Sequence, residues 1–500
     1  MKSMKIVLYI VLVLLNIFLF ALVVHCAVEH PSPNNYAHDF KYTKATNDNY
    51  YSITDCVPGF EKRIEIPASY NNLPVTHIAA NALSKCSEAE ELFIPDSITV
   101  IDQNAFVGCD SLEVIEVDDA NGFYDSRYNC NAIIETKTNT LILGCKNTVI
   151  PEVVTSIGVG AFSGRKGLVS IELTKNIKKI SADAFANCPD LAEFNVTQYI
   201  TSIEERAFAG CSSLSKLTVD SKNTAYNSNG NCNAIIHTAS DSLIAGCRST
   251  VIPSNVRSIG PFAFMGCSQL VEMNVPSSVK IIGENAFAGC SNLKSINLSD
   301  EVTTISNNAF KDCVVLERFY LPEATTTLGE KVLYNCPKLE EIVVSNNNEH
   351  FDSRNNCNAI INTETNSVIY GCSKTVLPSN VSIIASYAFS YSGITEVVLP
   401  ENINTVSENA FYNCADLTTV VILNKNIIIL SNGFKDCSSI EKLFFKGTVD
   451  EWYSNFNIAN VGNEWLRDAE RYYYSETEPT KEENYWHIVN GEIVIWEEKK

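Results

Sequence analysis

Residues Val279 to Leu298 read V-K-I-I-G-E-N-A-F-A-G-C-S-N-L-K-S-I-N-L, and the same apolar positions are filled repeatedly along the chain. The template is V-x-x-I-x-x-x-A-F-x-x-C-x-x-L-x-x-I-x-L. Ile98, Ile101, Ala105, Phe106, Cys109, Leu112, Ile115 and Val117 fill it once. Val302, Ile305, Ala309, Phe310, Cys313, Leu316, Phe319 and Leu321 fill it again. A fixed period of this size is the signature of a solenoid, whose units bury their apolar faces only against their neighbours. The repetition overrides the roughly three globular domains that length alone would suggest.

The last position of A-F-x-x-C falls at Cys86, Cys109, Arg165, Cys188, Cys211, Cys267, Cys290, Cys313, Cys336, Cys414 and Cys437. Steps of 23 are the rule, and the steps from 109 to 165 and from 211 to 267 are 56, which is one repeat plus 33 residues. A further copy at Ala388-Phe389 has lost a residue and the cysteine, and it follows a third insertion. The L-x-x-I-x-L part alternates at its end, which predicts a short strand with one buried face. Pro95, Pro276, Pro322 and Pro400 follow such strands and end them. The A-F-x-x-C part has room only for a tight turn or a single helical turn. Stacking then gives a parallel sheet on one side, with about 4.8 Å per coil.

The insertions lie near 118–150, 220–252 and 345–377. Each reads strand, turn, strand, as in Asn129-Cys-Asn-Ala-Ile-Ile134 and Leu141-Ile-Leu-Gly-Cys145, and predicts a protruding hairpin. A register with Ile134 opposite Leu141 continues to Cys130 opposite Cys145. The same spacing recurs at Cys232 and Cys247 and at Cys357 and Cys372. Opposed antiparallel residues have Cα atoms about 4.5–5.5 Å apart, within disulfide range, so three disulfides are expected. The repeat cysteines are expected to stay unpaired, as small buried apolar residues on side chains that run parallel from coil to coil.

Lys2 and Lys5 precede Ile6 to Val24, in which Asn16 is the one strongly polar residue. Residues 1–26 are read as a cleaved secretory signal, with an uncleaved anchor or lipidation at Cys26 as alternatives. All three place the remainder outside the cytoplasm. Residues 27–74 read as a polar segment, flexible over Glu29 to Asn49, followed by a cap with a hairpin over Tyr50 to Ile66. Residues 75–446 are the solenoid. Residues 447–500 carry Trp452, Trp465, Trp486 and Trp496. They are read as an aromatic C-terminal cap, with a sugar-binding module as the alternative.

Thirty-seven Lys and Arg against 58 Asp and Glu give a net charge of -21. Such a chain repels nucleic acid and anionic membrane, which confines membrane contact to the N-terminal segment. The seven histidines form no H-E-x-x-H, and no clustered C-x-x-C pair, G-x-S-x-G elbow or phosphate-binding glycine loop is present. No catalytic residue, metal ligand or cofactor is therefore assigned, and an enzyme is not expected.

The strings I-x-x-x-A-F-x-x-C-x-x-L-x-x-I-x-[IL]-P resemble the BspA-type leucine-rich repeats of bacterial surface proteins. The N-C-N-A-I-I hairpins and the closing Tyr472-Tyr-Tyr-Ser-Glu-Thr-Glu-Pro479 and Tyr485-Trp-His487 segments are similar to features of the same group. The resemblance spans roughly residues 50–500 and implies a leucine-rich-repeat solenoid with inserted β-hairpins and terminal caps. It also implies a secreted or surface-anchored interaction or adhesion protein without catalysis. Its ligand would be a protein or glycan outside the cell, such as a host matrix protein. A structural spacer and the recognition arm of a larger surface assembly are the alternatives.

One position singles out a surface. The residue between the last two buried positions of L-x-x-I-x-L points outward. Coil by coil it is Glu116, Glu172, Asn195, Thr218, Asn274 and Asn297, and then Tyr320, Val343, Val398, Val421 and Phe444. Five successive apolar residues about 4.8 Å apart make an exposed stripe and a candidate ligand surface. The alternatives are that bulky β-formers simply suit a parallel strand, or that the C-terminal cap folds back over the row.

Overall fold

The computed structural model describes residues 40–45, 49–57, 62–455, 457–459, 461–479 and 483–496, so the expected signal or anchor over 1–26 lies outside the described residues. Among the described residues no helix is long and apolar enough to cross a membrane.

The chain is a β-solenoid. Most coils lay down a strand from their L-x-x-I-x-L part, the coil of Leu168 to Leu173 excepted, and these pair in parallel. Met273 lies opposite Ile296, and Phe319 lies opposite Ile342. A second row of parallel strands, two residues each, comes from the V-x-x-I part. Ile259, Ile282, Ile305 and Leu328 lie side by side in it. Two sheets thus flank the core where one was expected. The A-F-x-x-C segments are turns rather than helices. The residue before their alanine is left-handed, commonly Asn, as at Asn285 (φ 52°), Asn308 (φ 56°) and Asn409 (φ 59°). Asn tolerates that region better than most side chains do.

The turn drops phenylalanine and cysteine inward. The phenylalanine rings of successive coils stack nearly parallel, with centroids 4.9 Å apart for Phe264 and Phe287 and 5.4 Å for Phe287 and Phe310. Where one coil directly follows another, the cysteine thiol commonly donates to the carbonyl of the preceding coil's phenylalanine, as from Cys313 to Phe287 at 3.3 Å and from Cys437 to Phe411 at 2.9 Å.

The three insertions do not protrude. Their strands, Ala132–Glu135 with Thr140–Gly144, Ala234–His237 with Ser242–Gly246, and Ala359–Asn362 with Ser367–Gly371, are built into the stack. The second strand of each joins the narrow sheet in parallel, as Leu141 beside Ile157. Both faces of each hairpin are buried, because the preceding coil lies on one side and the following coil on the other. A single asparagine ties each hairpin to the coil before it. Asn121 donates to the carbonyls of Pro95 and Ile98 at 2.8 and 3.0 Å and accepts from the amides of Phe123 and Tyr124. Asn223 and Asn348 repeat the arrangement.

The expected disulfides are not formed. All 17 cysteines among the described residues are free and buried. Ile134 does lie opposite Leu141, but a bulge follows, and Ile133 pairs with Leu143 and Ala132 with Gly144. The one-residue shift turns Cys130 and Cys145 to opposite faces of the hairpin, because side chains alternate along a strand. Cys130 packs with Ile134 and Ile157 in the core that follows, and Cys145 with Ile115 and Leu112 in the core that precedes. The same bulge separates Cys232 from Cys247 and Cys357 from Cys372.

The bulge brings a glycine under the next coil. A Cβ on Gly144, Gly246 or Gly371 would lie 2.1 Å from the ring of Phe162, Phe264 or Phe389, so each hairpin seats the first ring of a new phenylalanine stack. At the first junction Arg165 stands where other coils have cysteine. Its buried guanidinium, longer than a thiol, reaches carbonyls of both the hairpin and the coil before it. It donates to Gly144 at 3.0 Å, to Phe106 at 3.4 Å and to Cys109.

At the N-terminal end the hairpin is not Tyr50 to Ile66. Phe40–Lys44, expected to be flexible, pairs antiparallel with Tyr51–Cys56. Arg63–Glu65 instead opens the wider sheet against Glu91–Ile94. At the C-terminal end Val449–Asn455 and Glu464–Asp468 are short helices, and Glu470–Tyr474 extends the wider sheet beside Lys442–Phe445. Trp452 and Trp486 are buried, which leaves neither as a sugar-stacking platform.

Candidate binding surface

The outward row of the wider sheet is polar through its first half, and its members bond along the stack. Thr218 donates to Asn195 at 2.9 Å and Asn297 to Asn274 at 2.7 Å. Lys216 pairs with Glu193 beside them at 2.9 Å. Each such pair occupies the hydrogen-bonding groups of a flat, solvated face.

The five apolar positions do not form one stripe. Val421 is fully buried, and Phe444 is 5% exposed. Both pack with Tyr472 and Trp486 in a small separate cluster. Phe444 stacks on Tyr472 at 4.8 Å and meets the Trp486 ring edge-on at 5.8 Å. The Trp486 indole donates to the Phe445 carbonyl at 3.1 Å. The final strands thus fold over the outer face of the sheet and remove Val421 and Phe444 from the candidate surface. The third hairpin makes a second break. Arg318–Leu321 and Glu341–Val344 form a sheet of their own, whereas Glu396–Leu399 begins the next one. Val398, 40% exposed, therefore stands apart.

What remains contiguous is Tyr320 and Val343, directly opposed on neighbouring strands. Val343 is 41% exposed and Tyr320 half-buried. The Tyr320 hydroxyl donates to Asp300 at 2.6 Å, which fixes the outer end of the ring. Burial, with the Asp300 carboxylate beside it, pushes the phenol's pKa up, so it stays a donor. On one side of this pair lies a hollow of about 380 Å³ whose rim includes Asp300, Glu301, Glu323 and Glu349. On the other lies a broad groove of about 820 Å³. Its charges are matched, Arg318 with Glu341 at 2.7 Å and Lys374 with Glu340 at 2.5 Å. The outward row identifies Tyr320 and Val343. It misses the acidic hollow, whose residues sit in turns, although the carboxylates one repeat apart at Asp300 and Glu323 are a signal for it. Among the described residues no three of these side chains converge to hold a metal ion.

The arrangement is an apolar centre between an acidic hollow and a charge-balanced groove, with no paired nucleophile and base. It suits recognition of a protein surface, where apolar anchors supply affinity and rim charges set orientation.

Comparison with known proteins gives one family. The family described as BspA type Leucine rich repeat region matches residues 60–144, 133–240, 242–362 and 360–457, in six copies. No curated protein matches the chain in sequence. Among solved structures, a leucine rich cell surface protein from Faecalibacterium prausnitzii is similar at 19% identity and a TM-score of 0.37, over 85% of this chain and 97% of that one. The pneumococcal vaccine antigen PcpA is similar at 18% identity and a TM-score of 0.42, over 84% and 96%. A leucine-rich repeat protein from Bacteroides ovatus is similar at 19% identity and a TM-score of 0.34, over 84% and 98%.

Proposed function

The chain belongs to the family of BspA-type leucine-rich-repeat proteins, and from that premise we propose that it is a non-catalytic binding protein working outside the cytoplasm, attached to the cell surface or released from it. The observation that carries this reading is the Tyr320–Val343 pair, exposed apolar surface held rigidly between two structured rims. Location outside the cytoplasm is supported by Lys2, Lys5 and the apolar run Ile6 to Val24. The partner is a protein with an apolar anchor flanked by basic side chains, which would meet Asp300, Glu301, Glu323 and Glu349. An acidic chain of net charge -21 draws such a partner in.

The test is capture of purified extracellular proteins and glycans on the immobilised chain, repeated with Tyr320→Ser and Val343→Ser together. The expected result is capture of a basic protein that falls at least about tenfold in the double variant and weakens as salt rises, with an unchanged unfolding midpoint. Capture that is equal in both proteins removes this surface as the site.

A further inference from the structure

The three hairpin junctions are built from the same parts but are not sealed alike. In the second, Arg206 and Phe262 face each other, with the guanidinium 5.5 Å from the ring centroid. In the third, 125 residues on, Lys331 and Tyr387 occupy the same two positions, with the ammonium 4.1 Å from the ring. All four residues are left-handed, with φ of 60°, 59°, 54° and 62°. Bulky side chains seldom take that conformation, and it costs about 1 kcal/mol or more at each. Ordinary coils put Asn at these positions. The strained cation–aromatic pairs therefore mark the places where a hairpin parts two coils at one end of the turn and a plug fills the gap, while the coils still meet at the other end, where the Gly210 amide donates to Met265 at 2.7 Å.

The first junction has no plug. Its two equivalent positions are Asn104 and Gly160, with φ of 63° and 62°. A cleft of about 360 Å³ opens there, lined by both residues. A Cβ on Gly160 would meet nothing closer than 3.5 Å. The charged side chains around the cleft already have hydrogen-bonding partners. Lys179 holds Glu204 at 2.5 Å, His77 lies 3.1 Å from Asp102, and Arg165 is spent on carbonyls. The occupant is therefore neutral. Ile142 supplies an apolar wall. Among the described residues the side chains of Gln103, Asn104 and Ser163 hydrogen-bond to nothing, and they can receive a hydroxyl.

We propose that this cleft is a socket for an aromatic side chain of a protein partner, a tyrosine ring placed where the second and third junctions place Phe262 and Tyr387. The inference rests on the reading of the chain as a protein-binding solenoid and gives it a second contact point, far along the stack from Tyr320. The molecule itself places an aromatic ring at this position twice, at Phe262 and Tyr387, and at the second junction the ring leaves room beside it, in a hollow lined by Ser242, Ser258 and Gly260.

The experiment is ligand-observed NMR on the full chain with N-acetyl-L-tyrosinamide, and N-acetyl-L-leucinamide and glucose as controls. Binding of the tyrosine probe is expected with a Kd of order 1 mM, as for a fragment of this size. Gly160→Phe installs the second junction's ring at a matching φ, and is expected to lower the unfolding midpoint slightly, by the strain of that conformation, and to weaken the probe at least about tenfold. Asn104→Arg closes the cleft from the other side and serves if Gly160→Phe folds poorly. No saturable binding, equal binding in the folded variants, or equal binding of the leucine probe or glucose overturns the proposal. If the socket fails while Tyr320-dependent capture persists, the proposed function stands without it.

Discussion

The thiol of Cys290 donates to the carbonyl of Phe264, one coil earlier, at 3.2 Å. Equivalent bonds join Cys188 to Phe162 and Cys414 to Phe389, each at 3.0 Å. Cysteine therefore has two roles in the repeat, as a small buried body and as a weak donor to the coil below. Burial raises the Cys290 pKa well above the ordinary value and pushes Cys109, Cys267 and Cys336 up to about 12. These thiols are thus kept out of the nucleophilic thiolate form.

Replacing Cys290 with Ala is expected to cost about 1–2 kcal/mol, chiefly through the small cavity it leaves. The Phe264 carbonyl keeps its bond from the Cys267 amide at 3.0 Å, so the thiol bond adds little. Urea unfolding measures the loss. The native protein should also show no alkylation at Cys290 by iodoacetamide until it unfolds.

Gly246→Ala puts a methyl 2.1 Å from the Phe264 ring. The ring begins a stack and cannot retreat without disturbing Phe287, so about 2–3 kcal/mol of destabilisation is expected. Pairing it with Phe264→Leu should recover part of that loss. A double variant no more stable than the sum of the single changes would show that the ring is not what the methyl strikes.

The Tyr124 hydroxyl accepts from the Ile101 amide at 2.9 Å, and Tyr226 accepts from Ile203 at 2.7 Å. The third hairpin has Phe351 at this position, opposite Leu328. Its hydroxyl comes instead from Tyr370, which bonds Val332 and Gly329. Phe351→Tyr should therefore stabilise the protein by about 1 kcal/mol through a new acceptor for the Leu328 amide, and Tyr226→Phe should cost a similar amount. Thermal unfolding of both variants decides it.

Lys41 and Lys85 both reach Asp55, at 2.6 Å each, and their hydrogen bonds lower its pKa from 3.8 to about 2. A carboxylate with a depressed folded-state pKa stabilises above its unfolded value, and that contribution is lost as pH falls through the folded one. The N-terminal hairpin should loosen between about pH 4 and 2, seen as faster amide exchange over Tyr51–Cys56. Asp55→Asn should flatten that dependence. An unchanged acid profile in the variant would assign the transition to other carboxylates.

The repeat itself was legible because each buried position recurs every 23 residues, and periodicity is what a solenoid writes into a chain. The hairpin register was legible only from the turn to Ile134. The bulge beyond it is set by Gly144 accommodating Phe162, a contact between separate coils that local alternation does not encode. The second sheet is not legible in the sequence because two-residue strands are too short to show a period. Val421 and Phe444 carry the same residue types as an exposed stripe. Their burial depends on Tyr472 and Trp486, from a segment outside the repeat. Tyr320 and Val343, governed by their own coil alone, stand where the alternation put them.

The hairpins also determine how the molecule gives way. Each is a wall with a separate apolar core on either side, so the long stack is divided into four cores. The phenylalanine stack stops at every wall and starts again on a glycine. A coil that opens withdraws support only from its neighbours, and the disturbance meets a bulkhead within a few turns. Under tension along its length such a chain behaves as four links in series. It can give way one link at a time and keep the others folded.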